Sequence, residues 1–243
     1  MGEIRAGTCG FCMAQRAYYE RFGVVELQRT FYQPPRPATA ARWRRQAPPG
    51  FEFTLKAFQA ITHPPSSPTY RRSGLGAAER AQCGGFRDTA MVRAAWTRTL
   101  EIVRLLRAPV VVFQCPASFT PSEEHLAALR RFFRWAERGE AVFGWEPRGD
   151  WPPGLVRELC RELELVHVVD PFVCEPVWGT PRYYRLHGIG GYRHRYSDEE
   201  LGRLRAACRG GLTYCMFNNV SMRDDALRFL ALLGGARAAE QQR

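Results

Sequence analysis

Apolar and polar positions along the chain follow two alternating rhythms. Short apolar runs at 4–8, 24–28, 51–56, 109–114, 141–146, 165–170, 183–187 and 212–218 predict eight strands. In the third, Phe51, Phe53 and Leu55 alternate with Glu52, Thr54 and Lys56, so one face is apolar and Lys56 stands at the strand end. Helical periodicity occupies the intervals 15–22, 38–46, 89–106, 121–138, 155–164, 198–208 and 224–233. Thr120-Pro121-Ser122-Glu123 predicts a capping box with proline at the first helical position. Ser197-Asp198-Glu199-Glu200 predicts another, in a helix that Gly210-Gly211 closes.

Strands that alternate with helices build a parallel sheet, and eight of them predict a closed (β/α)8 barrel of the α/β class, one domain over 1–243. Two stretches depart from the ideal repeat. Residues 171–182 are too few and too proline-rich for a sixth helix and predict a loop or a single turn. Residues 57–87 hold Pro64-Pro65, Ser66-Ser67 and several glycines, and their length predicts a lid-like insertion. The competing fold, an open nucleotide-binding sheet, lacks its fingerprint. The strand Ile4-Arg5-Ala6-Gly7-Thr8-Cys9-Gly10 runs into glycines without the G-x-G-x-x-G spacing, and no phosphate-binding G-x-x-x-x-G-K-[ST] occurs.

Composition sharpens the interest in Lys56. The chain has 35 Lys and Arg residues, of which Lys56 alone is lysine. Where a plain positive charge suffices, arginine serves; a surviving lysine suggests a need for an amine, which can exchange a proton or form an imine. The alternative is a surface residue spared by chance. The formal net charge of +11, with clusters at Arg42/Arg44/Arg45, Arg71/Arg72, Arg130/Arg131/Arg134 and Arg203/Arg205/Arg209, favours an anionic partner, either a small molecule or nucleic acid. Many of these arginines also fit solvated helix faces. No apolar run approaches the roughly 20 residues that span a bilayer, and no secretory leader is visible, which predicts a cytoplasmic chain without a membrane partner. The glycosylation-like Asn219-Val220-Ser221 carries no weight in that setting.

Polar residues gather at the predicted carboxyl ends of the strands, where barrel enzymes keep their sites. Glu26, Glu146 and Asp170 are candidate acids and bases, Lys56 their candidate partner, and His187 a further catalytic candidate. Gln28, Gln114, Arg148, Arg185, Asn218 and Asn219 complete the strand ends as candidate substrate contacts, with His63 at the start of the insertion. Gly188, with Gly190 and Gly191, follows the seventh strand and predicts a turn whose N–H groups approach a phosphate, with Arg185 as its clamp. Structural ion pairs are the rival explanation for the charged members.

Eight cysteines remain. Cys9 and Cys12 follow strand one, Cys115 follows strand four and Cys83 lies in the insertion, so a shared rim is predicted for these four, suited to zinc or an iron-sulfur cluster. A Cys9-Cys12 redox pair, a disulfide, or four separate thiols are the alternatives. Cys160, Cys174, Cys208 and Cys215 are assigned to packing, two of them on the back faces of helices.

The motifs resemble the YecE-like family of domains of unknown function, number seventy-two. The resemblance lies in Gly7-Thr8, the stretch from Val25-Glu26 to Phe31-Tyr32, Phe53-Thr54-Leu55-Lys56-Ala57, Ile61-Thr62-His63, Phe113-Gln114 with Pro116, Glu146-Pro147-Arg148 with Trp151, Tyr184-Arg185-Leu186-His187-Gly188 and Phe217-Asn218-Asn219. It implies a barrel with its site at these strand ends and names no reaction. The chain departs from the family at Thr8-Cys9-Gly10-Phe11-Cys12, where most relatives have a serine-glycine-tryptophan type of turn. Three functions fit: a hydrolase or lyase on a phosphorylated small molecule or nucleotide, a nucleic-acid protein akin to barrel endonucleases, and a non-catalytic ligand-binding barrel. The endonuclease reading is weakened by a chain with only five histidines.

Overall fold

A computed structural model describes residues 2–241. Eight strands pair in chain order into a closed parallel barrel: β1 (Ile4–Cys9), β2 (Val24–Leu27), β3 (Glu52–Lys56), β4 (Val110–Gln114), β5 (Val142–Glu146), β6 (Leu165–Val169), β7 (Arg182–Leu186) and β8 (Thr213–Phe217). Each lies within a residue or two of its predicted place. The helices are α1 (Gln15–Tyr19), α2 (Arg29–Tyr32), α3 (Pro37–Gln46), α4 (Gln59–Thr62), α5 (Ala77–Ala81), α6 (Ala90–Leu106), α7 (Glu123–Trp135), α8 (Pro153–Glu162), α9 (Asp198–Ala207) and α10 (Met222–Gln241). No helix occupies 171–182, as the prolines and shortness of that stretch require. No helix among the described residues is long and apolar enough to cross a membrane.

Contacts divide the chain into two compact units whose boundaries fall within β2 and β6. The first comprises Met1–Glu26, Val168–Pro176 and Thr180–Arg243, and the second Leu27–His167 with Val177–Gly179. In the first unit β1 pairs with β2 and β8, and β7 with β6 and β8. Ser197 caps α9 as predicted: its hydroxyl accepts from Glu200 N at 3.1 Å, and the Glu200 carboxylate accepts from Ser197 N at 2.7 Å.

In the second unit β3, β4, β5 and β6 pair in sequence. Its core is aromatic: Phe86, Trp96, Phe113, Phe132, Phe133 and Phe143 are all buried, with ring centroids such as Phe113–Phe133 at 5.0 Å and Trp96–Phe143 at 5.2 Å. The α7 cap corrects the expected one. Ser122, not Thr120, accepts from the first turn, through His125 N at 3.2 Å. Thr120 is instead engaged by a turn, its carbonyl accepting from Ser122 N at 2.8 Å.

The insertion after β3 is packed rather than lid-like. It carries α4, a 3-10 turn (Pro68–Arg72) and α5, and buries Phe58, Gln59, Ile61, Tyr70, Cys83 and Phe86. Gly84 N, Gly85 N and Phe86 N donate to the carbonyls of Ala60, Thr62 and Ile61 at 2.8, 3.2 and 2.8 Å. Gly84 has φ +86° and a Cβ there would lie 2.1 Å from the His63 carbonyl oxygen, so glycine is required where these two backbones meet. The length of the insertion predicted a lid; the buried aromatics Phe58, Tyr70 and Phe86 anchor it instead.

Candidate functional site

Alternation decides which strand residues leave the helix-packed face. In the second unit, Phe113 and Phe143 pack against α6 and α7 aromatics, so Gln114 and Glu146, an odd number of residues away, point to the other side of their strands. Gln114 and Glu146 are paired in register, and Lys56 ends the neighbouring strand, paired with Val112. Lys56 is buried, and its Nζ lies 3.5 Å from the centroid of the Phe31 ring. The Thr30 hydroxyl lies 2.7 Å from the carbonyl oxygens of both Lys56 and Leu27, tying α2 to the end of β3. Gln28, half-buried, opens that helix.

His63 packs edge-on against the same Phe31 ring, with centroids 4.8 Å apart. Its Nδ1 is 2.8 Å from the Thr62 hydroxyl, and its carbonyl accepts from Tyr70 at 2.8 Å. Burial, reinforced by the charge of Lys56, pushes His63 down to about 3, so the ring is neutral at physiological pH. Glu146 is buried and meets Arg148 Nε at 2.8 Å; the Arg148 side chain is 34% exposed. His167 lies within electrostatic reach of Glu146, and burial pushes it down to about 4 against the opposing pull of that carboxylate.

The first unit holds a different arrangement. Glu26 and Arg185 have side chains with 0% exposure. Arg185 Nε lies 3.1 Å from both Glu26 oxygens and Nη2 2.9 Å from Oε1. Tyr183 donates to Oε2 at 2.8 Å, and the Cys9 thiol to Oε1 at 3.3 Å. Arg185, expected as a phosphate clamp, thus serves an internal carboxylate. Asp170 accepts from backbone at both oxygens, from Phe172 N at 3.0 Å and His187 N at 2.8 Å, which binds the end of β6 to the end of β7. His187 Nδ1 lies 3.1 Å from Asn218 Nδ2; with the amide donating, a neutral His187 carries its proton on Nε2. Asn219 donates to the His194 carbonyl at 2.8 Å and to Asp225 at 2.6 Å, making it a brace for α10.

A family model described as a protein of unknown function, DUF72, matches residues 14–243. The chain belongs to the DUF72 family. Solved structures agree. A DUF72 family protein from Enterococcus faecalis V583 is similar with a TM-score of 0.72 at 20% identity, covering 96% of this chain and 98% of that one. A DUF72 family protein from Thermotoga maritima MSB8 has a TM-score of 0.67 at 22% identity, over 96% and 99% of the two chains. The barrel is also similar to an AP endonuclease, family 2, from Brucella melitensis, with a TM-score of 0.56 at 13% identity over 97% and 99%. No curated protein matches the chain.

The glycine turn of this DUF72 chain departs from the expected phosphate cradle. Gly188 N donates to the Tyr196 hydroxyl at 2.9 Å and Gly191 N to the Gly188 carbonyl at 3.1 Å, so these two donors serve the turn itself. Gly188 has φ +92°, and a Cβ would stand 2.3 Å from the Gly191 carbonyl oxygen.

Cys9 and Cys12 belong to the first unit, Cys83 and Cys115 to the second. Among the described residues no group of three or more His, Cys, Asp and Glu side chains could hold a metal ion. Each thiol has its own surroundings instead. Cys9 is engaged by Glu26 and Arg185. Cys12 is half-buried in the loop after β1. Cys83 donates to the Glu79 carbonyl at 3.3 Å, and Cys115 accepts from the Trp145 indole at 3.2 Å. Burial raises all four thiols above the ordinary cysteine value, the reverse of what prepares a thiolate ligand. Cys174, assigned to packing, is exposed, whereas Cys160, Cys208 and Cys215 are buried.

The sequence assigns His167 and Tyr183 no role, and shows Thr30 and Phe31 only as part of the stretch that carries the family resemblance. The signal for His167 and Tyr183 was present: a histidine in the apolar run Leu165-Val166-His167-Val168, and a tyrosine two residues before Arg185 on the same strand face.

Proposed function

We propose that this DUF72 barrel is an enzyme, a hydrolase or lyase acting on an anionic, phosphorylated substrate, with Lys56 and Glu146 moving protons and Arg148 meeting the substrate's charge. The observation that carries this reading is Lys56 itself: the chain's single lysine, buried at a strand end with its ammonium against the Phe31 ring and a neutral histidine alongside. An arginine there would hold its charge without exchanging a proton, whereas a lysine can deliver one to a leaving oxygen and recover it. Glu146, on the same unit, is the complementary group to take a proton from water or substrate. Arg148 is exposed enough to reach an anion while its Nε keeps hold of Glu146. Gln28, His63 and Gln114 supply neutral hydrogen-bonding groups around them. In the first unit, Glu26, Asp170, Asn218 and Asn219 act as positioning residues for Arg185, His187 and the Gly188 turn.

Panels of phosphatase, phosphodiesterase, glycosidase and lyase substrates, assayed on wild type, Lys56→Met and Glu146→Gln, test this. Each variant is expected to lose about 10²- to 10⁴-fold in kcat, the usual contribution of a positioned acid or base. Full turnover in both variants overturns the assignment.

A second reading, nucleic acid as the partner, is favoured by the net charge of +11 and by the fold shared with a protein named as an AP endonuclease. An outer cleft of about 710 Å³ is lined by Arg93, Arg130, Arg131, Arg134 and Trp135. Three of those arginines already pair with Asp88, Glu158 or Glu162, which weakens this surface for phosphates. Gel shifts at rising salt decide it: phosphate contacts require affinity to fall by orders of magnitude between low and physiological salt. Affinity indifferent to salt excludes the reading.

A further inference from the structure

Two thiols lie apart from the strand-end chemistry. Cys208 caps the carboxyl end of α9, and Cys215 sits in the middle of β8 on the face that packs against that helix. Both are buried, and their sulfurs are 3.5 Å apart. The residues between them turn through Gly210 and Gly211, both at φ +66°, and this tight corner brings a helix end back onto the following strand. A disulfide needs its sulfurs at about 2.05 Å, so these two must approach by about 1.5 Å to bond. Cys208 also lines a surface cleft of about 440 Å³, together with Gly202, Arg205, Ala206, Arg209 and Gly210. Cys208 is therefore the member of the pair next to an opening to solvent, while Cys215 is not among the lining residues.

We propose that Cys208 and Cys215 form an oxidation site, a dithiol that a small hydroperoxide converts into an intramolecular disulfide. The Cys208 sulfur, entered from the cleft, attacks one oxygen of hydrogen peroxide. The O–O bond breaks, the leaving hydroxide takes the thiol proton as water, and Cys208 becomes a sulfenic acid. The Cys215 sulfur then attacks the Cys208 sulfur; the S–O bond breaks, and the departing hydroxide takes the Cys215 proton as a second water. Two thiols lose two electrons in total and one peroxide is reduced to two waters. Burial raises Cys215 well above the ordinary thiol value, so it stays a thiol and Cys208, beside the cleft, is the sulfur that meets peroxide first. The product is a reducible staple between α9 and β8, the strand that continues into Asn218 and Asn219.

The exposed Cys174 supplies an internal standard. The reduced full-length protein is titrated with hydrogen peroxide until half of Cys174 is consumed, then alkylated under denaturing conditions and digested with trypsin. Cleavage after Arg205, Arg209 and Arg223 places Cys208 and Cys215 on separate peptides, 206–209 and 210–223. The expected result is a disulfide-linked pair of these peptides that dithiothreitol separates. Cys215→Ala is expected to abolish the linked pair and to leave Cys208 trapped as a sulfenic acid by dimedone. Recovery of both as alkylated free thiols while Cys174 is half oxidised overturns the proposal. So does a linked pair that forms only when peroxide is added in urea, since the bond would then owe nothing to the folded geometry.

Discussion

At the end of β2, Glu26 is fully buried and accepts from Arg185, Tyr183 and Cys9; at the end of β5, Glu146 is buried but meets an arginine whose side chain is one-third exposed. The two carboxylates look alike in the sequence, each in the last two residues of its strand. Their surroundings separate them. An ion pair sealed from water holds the strand ends in place and has little capacity to meet a ligand, because any change in its charge leaves a partner stranded. An arginine divided between a carboxylate and solvent can turn its free donors to a substrate anion. The lesson is that burial of the cation, rather than of the acid, distinguishes framework from working group.

The largest expected effect follows from the sealed pair. Arg185→Met strands Glu26 and is expected to cost about 3–5 kcal/mol in urea unfolding, with much of it regained in Glu26→Leu/Arg185→Met. Wild-type stability in the single variant would erase the distinction. Acid comes next, and acts on the other unit. Burial holds His63 and His167 neutral, at about 3 and about 4. Unfolded histidine protonates near pH ~6.5, so between that value and the folded ones the unfolded chain binds more protons. Stability is therefore intact above pH ~6.5 and lost as the pH falls through the window, at about 2 kcal/mol per histidine by pH ~5. Stability curves between pH ~5 and ~7 check this, and His63→Phe should flatten the slope; an unchanged slope contradicts the neutral ring. The smallest effect belongs to the open pair. Arg148→Met should change stability by less than about 1 kcal/mol, as partly exposed pairs do, while raising KM for an anionic substrate. A loss as large as that of Arg185→Met would make the two pairs equivalent.

Most of the fold was legible because strand and helix periods are local. The run ending at Lys56 was readable from alternation, those ending at Gln114 and Glu146 as short apolar runs, and Ser197 announced its helix by the capping-box spacing to Glu200. The insertion was misread because what anchors it, Phe86 inside an aromatic core drawn from four other elements, is a long-range fact. The candidate site divides the same way. Strand ends identify candidate residues, but Arg185 and Arg148 differ in which carboxylate and how much water each meets, and the cysteines in their individual partners. Nothing in the spacing of those residues records such a choice.

The single lysine permits a direct test of the central claim, that Lys56 belongs to the anion-handling site. Protein labelled with ¹³C at the lysine Cε gives one side-chain resonance, which can be followed through titration with phosphorylated compounds and their uncharged analogues. A phosphorylated ligand is expected to move the Lys56 signal and its dephosphorylated analogue to leave it in place, with Arg148→Met weakening the response. A Lys56 signal that stays fixed while backbone amides elsewhere report saturation by the same ligand would contradict it.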